Sequence, residues 1–387
     1  MRVQLSRRTF GRFAASATLL ATATTTVRAV QWPDAEDQHL SYLFQLFADV
    51  DDIHVFSNHA NYRMDHNSGA RFDLRLNHEL VVVPAVEAPI GSQEAIDAIT
   101  TASRPIRTTA DAYEDFTKTR DEVRAGVQHR GVAAGYYVSN ETDYFAQLFS
   151  ASYNRDFFQQ NLNLAGGFSY GKDDIEPLED ADTSQIAAYR KSFHYSFVAT
   201  QVLTRTTIAR LGVELSEVDG LQHNPYRNVW VDGSNEAELH PSTRSRRDLF
   251  VKMHQYVTNR SSLKLNYKLY EDDWGIASHT VGASVSQYVD DDIVVRYRYR
   301  YYTQSSADFY RDDYTNPGGV GGFQTGDYRM GEFDAHLFGS RVEWALRSLF
   351  DESSWMSRFR LSLNYERYFN SNNFSANIFE SGLSLVF

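Results

Sequence analysis

The 387-residue chain has no cysteine. That excludes a disulfide framework, Cys-ligated zinc, iron–sulfur clusters and thiol chemistry. Proline is scarce, with 8 residues, and the charged share is an ordinary 23%, so the composition is not that of a disordered chain. Positive charge is in deficit: the formal net charge is −12, which argues against a general nucleic-acid partner. Beyond the N-terminal leader no charge-free apolar run reaches the ~18 residues that a membrane-crossing helix needs. What is abundant is aromatic, with 25 Phe and 24 Tyr. Such a chain is either a large soluble β protein or a transmembrane β-barrel, whose lumen and loops keep it polar on average.

The first 29 residues read as a targeting segment. Arg2, Arg7, Arg8 and Arg12 form a basic start, Phe13 to Val27 is apolar and small, and Val27-Arg28-Ala29 suits cleavage after Ala29. Ser6-Arg7-Arg8-Thr9-Phe10 also resembles a twin-arginine motif. A barrel must cross the inner membrane unfolded, so the general secretory route is favoured, because the twin-arginine route carries folded cargo. The segment holds five arginines and no acid, so its removal takes the net charge from −12 to −17. The remainder, 30–387, is expected to be one exported bacterial domain.

Its periodicity is two. In Ile293-Val294-Val295-Arg296-Tyr297-Arg298-Tyr299-Arg300-Tyr301 the odd positions are apolar or aromatic, and the even ones become arginine. A strand puts these on opposite faces, whereas a helix would scatter them. Leu263, Leu265, Tyr267 and Leu269 alternate with Lys264, Asn266 and Lys268. Phe359, Leu361, Leu363 and Tyr365 alternate with Arg358, Arg360, Ser362 and Asn364. Phe379, Leu383, Leu385 and the last residue, Phe387, share one parity. A terminal aromatic after alternating apolar residues resembles the assembly signal of bacterial outer-membrane proteins.

The pattern predicts a closed antiparallel transmembrane β-barrel of about sixteen strands. They are expected at 38–48, 53–64, 70–83, 118–128, 131–140, 143–154, 160–171 and 187–202, then 206–218, 244–257, 261–271, 276–289, 292–305, 333–347, 357–369 and 375–387. Their length suits membrane crossing, which needs about 9–11 residues. Short periplasmic turns are expected at 129–130, 155–159, 203–205, 258–260 and 290–291. Long extracellular loops are expected at 84–117, 172–186, 219–243 and 306–332, with a short helix at 93–102. An even strand count returns both termini to the periplasm.

Four segments carry a family resemblance. Tyr270-Glu271-Asp272-Asp273-Trp274-Gly275-Ile276-Ala277-Ser278-His279-Thr280 resembles a hairpin signature of the domain-of-unknown-function family 3570. Arg300-Tyr301-Tyr302-Thr303-Gln304-Ser305-Ser306-Ala307-Asp308-Phe309-Tyr310 is similar to its second signature, and Gly326-Asp327-Tyr328-Arg329-Met330-Gly331 to its third. Glu141-Thr142-Asp143-Tyr144-Phe145 resembles a looser fourth. Order and spacing agree, and the resemblance covers most of the chain after the leader. It implies a Gram-negative outer-membrane barrel and brings no substrate, cofactor or catalytic residue.

Each constellation admits two readings. Asp272-Asp273-Trp274-Gly275 reads as a tight turn with an interfacial Trp. Alternatively Asp272 and Asp273 gather with Asp308, Asp312 and Asp313 around a divalent cation. Arg296, Arg298 and Arg300, flanked at lumen parity by Lys264, Lys268, Arg358 and Arg360, form a basic stripe. It is either a salt-bridged filling, with Glu214, Arg341, Glu343 and Glu366 in reach, or an anion-selecting eyelet. Among the twelve His no pair has strand metal-site spacing, so no metal is assigned. Ser278-His279 with Asp273 is the one local cluster of hydrolase type, without a nucleophile elbow, so no catalytic residue and no cofactor are assigned. The acidic stretch 172–182 reads as a solvated loop.

The expected function is an outer-membrane channel with a basic lumen stripe. The alternative is a non-conducting scaffold or sleeve for an exported partner, plugged by loops and charges. Outer-membrane lipid, lipopolysaccharide and the outer-membrane assembly machinery are the expected partners.

Overall fold

The computed structural model of the protein describes residues 35–83, 116–177, 188–315, 320–351 and 354–386. The leader, the helix expected at 93–102, residues 178–182 of the acidic stretch and Phe387 lie outside them.

The first strands are β1 Ala35–Asp49, β2 His54–His66, β3 Ala70–Val83, β4 Phe116–His129, β5 Val132–Asn140 and β6 Tyr144–Phe157. Next come β7 Leu162–Ile175, β8 Ala188–Thr204, β9 Thr207–Gly220, the short pair β10 Asn228–Val231 and β11 Ser234–Ala237, and β12 Thr243–Val257. The last are β13 Ser261–Asp272, β14 Ala277–Tyr288, β15 Ile293–Gln304, β16 Phe333–Ala345, β17 Phe359–Asn370 and β18 Ser375–Val386. All but β10 and β11 form one closed ring in chain order. β1 closes it on β18, with Tyr42 opposite Leu383 and Leu46 opposite Phe379. All sixteen expected strands are present, most within a few residues of the expected limits.

The alternation sets the two faces. Tyr299 of β15 sits opposite Phe338 of β16, and both rings are exposed, as are Leu211, Val213, Leu215, Val281, Val285, Leu363 and Tyr365. A protein that stays in water does not leave such a belt uncovered, and hydrocarbon covers this one. The alternate positions point into the ring. A slip of one residue would exchange the faces, moving leucines that each gain roughly 1.5–3 kcal/mol on leaving water.

One end of the ring is the turn rim, where β1 begins and β18 ends. There Arg130-Gly131 has φ 49° and 84°, the doubly left-handed geometry of a two-residue hairpin turn. The opposite loop rim carries the long connections, and also short turns at 50–53, 141–143, 273–276 and 371–374. The turn rim has one long connection, between β16 and β17.

Two expectations need correction. Arg358 does not join the lumen stripe. It ends a 3-10 turn, Trp355–Arg358, capped by the Ser354 hydroxyl, and β17 begins at Phe359. Asp173 and Asp174 do not belong to a solvated loop, because β7 continues to Ile175. Asp173 points inward, where Arg190 reaches it at 2.7 Å and the Tyr144 hydroxyl donates to it.

Candidate functional site

The lumen has two unlike walls. On β15, Arg296, Arg298 and Arg300 point inward, about 6.8 Å apart at ~3.4 Å per residue. Arg298 Nη2 meets Glu366 Oε2 at 2.6 Å. Glu343 gathers Arg341 at 3.1 Å, Arg360 at 3.6 Å and Arg296 at 4.0 Å. Lys268 lies 2.8 Å from Asp248 and 4.0 Å from Glu214. Arg300 and Lys264 have no ion pair among the described residues. Inside a closed ring, the side chains of Arg298 and Arg360 are still 45% and 57% exposed. Solvent reaches them, so these pairs are screened, and the stripe keeps a surplus of positive charge.

β5 stands eight places from β15 in the sixteen-strand ring, and β6 and β7 face β16 and β17 likewise. This opposite wall is small and hydroxylated: Gly135, Ser150, Ser152, Gly167 and Ser169 line a cavity of ≈ 500 Å³. The small side chains of β5, β6 and β7 leave free space along that wall, and Arg75 and Arg124 of the neighbouring β3 and β4 border it.

The resemblance segments converge at the loop rim. Asp272 Oδ1 accepts from the Trp274 and Ile276 amides at 3.0 Å each, which closes the hairpin turn. Its Oδ2 accepts from Arg244 Nε at 2.9 Å and from the Tyr270 hydroxyl at 2.6 Å. Arg244 stacks on Trp274, 4.1 Å from the ring centre. Gly275 has φ 88°, and a Cβ there would strike the Asp308 carboxylate. The Asp308 amide donates to Trp274 O at 2.8 Å. Gln304 donates to the carbonyls of Arg329 and Gly331 at 2.9 and 2.7 Å. Trp274, Ile276, Ala307 and Phe309 form one buried apolar cluster, with Tyr310, Phe323 and Met330 packed on it. Three signatures thus build one folded cap.

The fourth signature ties the cap across the mouth. Tyr226 and Arg227, adjacent in the β9–β12 loop, reach in opposite directions. The Tyr226 hydroxyl donates to Asp143 at 2.5 Å, in the β5–β6 turn. Arg227 Nη1 lies 3.1 Å from Asp327 Oδ2, in the β15–β16 loop. Those two connections are eight strands apart whichever way the ring is followed, so the strap joins loops from opposite sides of the ring. Beneath it Glu238 is fully buried. It accepts from the Thr325 hydroxyl at 2.5 Å and lies 3.4 Å from His240 Nε2, without hydrogen-bond alignment. His240 packs edge-on against Trp274 at 5.3 Å. Burial pushes the Asp327 carboxyl up, but the Arg329 hydrogen bonds and the Arg227 charge outweigh it and hold it at about 2. Glu238 is likewise held below the usual range, by His240, Arg227 and Thr325 against its burial.

Two alternatives do not assemble. Three of the five carboxylates meant for a cation are otherwise engaged. Asp272 serves Arg244 and the turn, Asp273 accepts from the Ser245 amide at 3.0 Å, and Asp312 accepts from Tyr310 at 3.0 Å. No group of three metal-ligating side chains occurs among the described residues. Ser278 and His279 point to opposite faces. Ser278 is buried inward, while His279 bonds the outward Tyr267 hydroxyl at 2.7 Å.

The sequence marks Asp143 and Asp327 within signatures and 219–243 as a long loop, but not their meeting, nor Glu238, His240 or Thr325. The β10–β11 hairpin had a legible sign, Asp232-Gly233, with φ 45° and 82°, the pair a two-residue turn prefers.

An apolar outside, a charged inside and a closed sixteen-strand antiparallel ring define a transmembrane β-barrel. The chain matches the model of the protein family of unknown function DUF3570 over residues 12–377, and it belongs to that family. No curated protein matches it. Among solved structures it is similar to OmpT, an outer membrane protein of Vibrio cholerae, at 10% identity over 92% of this chain and 99% of that one, with TM-score 0.46. It is also similar to the outer membrane protein OpdK of Pseudomonas aeruginosa, at 8% identity over 92% and 98%, with TM-score 0.44. OccAB3 of Acinetobacter baumannii is similar at 11% identity over 91% and 98%, with TM-score 0.38.

Proposed function

We propose that the protein is an outer-membrane pore that passes small anions along the basic ladder of β15. The leader and the barrel favour that membrane, with the loop rim outside and the turn rim in the periplasm. Lipid, outer-leaflet lipopolysaccharide and the barrel-assembly machinery are then its partners. The observation that carries the reading is the solvent exposure of arginines inside a closed ring. A sleeve plugged by its own salt bridges calls for these cations to be buried and fully paired. Arg300 and Lys264 have no ion pair among the described residues, and Arg298 and Arg360 are about half exposed. Charges along a low-dielectric wall raise the local anion concentration. Salt weakens this, since the Debye length is about 8 Å at physiological ionic strength.

The test is a reversal potential in planar bilayers under a salt gradient. The purified barrel is expected to conduct and to prefer chloride over potassium. The R296S/R298S/R300S variant is expected to lose or reverse that preference while folding normally. Absence of conductance from the folded barrel overturns the reading.

A further inference from the structure

A second set of lumenal cations lies away from the β15 ladder. Arg75 of β3 and Arg124 of β4 are direct cross-strand partners. Both share the inward parity of Asn77 and Glu122, which bond each other across the same pair of strands. Like charges placed directly opposite each other repel. Folded chains normally set an acid between them, yet neither guanidinium has a hydrogen bond or ion pair among the described residues. Both are exposed, and both line the ≈ 500 Å³ cavity.

The rest of that cavity says what would relieve the repulsion. Its floor continues from Gly135 to the hydroxyls of Ser150, Ser152 and Ser169, polar but uncharged. Three acids also line it, and two are engaged: Asp248 and Glu214 face Lys268 at 2.8 and 4.0 Å. The third, Asp73, lies over Gly126, where a Cβ would meet its carboxylate at 2.5 Å. These acids would repel a second anionic end, whereas a neutral hydroxylated body meets no such penalty. Guanidinium forks match the oxygens of a carboxylate or a phosphate, two donors to two acceptors.

We propose that Arg75 and Arg124, with the serine floor beside them, form a binding site for a small hydroxylated organic anion, held by its carboxylate or phosphate. The site deepens the pore reading, and it rests on that reading's water-filled lumen. The space is in place before the solute arrives, and the cost that binding has to exceed is the ordering of two long side chains.

Calorimetry on the full-length barrel folded in detergent tests this without requiring conductance. Gluconate probes the carboxylate, glucose 6-phosphate the phosphate, and glucose the neutral body. At least one anion is expected to bind ten times or more tighter than glucose, and the tighter of the two identifies the group recognised. The R75S/R124S variant is expected to weaken that binding at least about tenfold, as loss of charge-assisted bonds does. R75K/R124K, which keeps charge without the forks, is expected to fall between. R296S/R298S/R300S is expected to bind as the wild type does. Heat-modifiable migration reports folding of each variant. Equal affinity for glucose and both anions, no binding of either anion, or unchanged binding by R75S/R124S overturns the site. A barrel that binds but does not conduct overturns the pore and leaves the site standing. One that conducts without binding does the reverse.

Discussion

At the scale of single residues the cap depends on carboxylates kept ionised under cover. Asp327 meets Arg227 at 3.1 Å and takes a fork of bonds from Arg329. Its carboxyl is held at about 2, below its ordinary 3.8. A group depressed in the folded state stabilises it at pH above the ordinary value and loses that contribution as pH falls through the folded one. The cap is therefore expected to stay closed on mild acidification and to loosen between pH 3.8 and about 2. Pepsin cleavage within 221–242, followed across this range, measures it. Asp327→Asn removes the charge and leaves Arg227 buried with a weaker partner, so the loop is expected to be cut by thermolysin at neutral pH. A variant as resistant as the wild type would mean that Asp327 does not hold the strap.

At the scale of the element, each strand is a two-faced object whose faces differ in what they tolerate. Leu363 looks into lipid, and its neighbour Ser362 looks into the lumen. Leu363→Asp is expected to cost about 2 kcal/mol near mid-bilayer, less than Arg or Lys there. Ser362→Asp is expected to cost less than half as much. Folding titrations into lipid vesicles give both values, and the reverse order would mean that the faces are exchanged. Alternation made these strands legible in the sequence, because period two is a local property. The stripe on β15 was legible for the same reason. Arg358 was not, because the turn that ends on it is fixed by the Ser354 hydroxyl rather than by the apolar pattern. The meeting of Tyr226 with Asp143 was not legible either. The two are 83 positions apart, and no local period encodes a contact between two connections.

At the scale of the whole molecule the ring has no free edge, since β1 pairs with β18 over His39 to Asp49. Every strand is bonded on both sides, so opening the ring requires breaking one seam along its full length. The chain is expected to fractionate with the outer membrane and to run as a compact band on gels unless heated. Recovery from the soluble periplasm, or migration indifferent to heating, would contradict a closed membrane barrel. The loop-rim strap adds a consequence for how the molecule is made. Tyr226 and Arg227 are neighbours in the chain, yet their anchors stand on opposite halves of the ring. The two bonds come from connections on opposite sides of the ring, so both are expected to form only after those sides have been brought together, and the cap closes on a barrel already made.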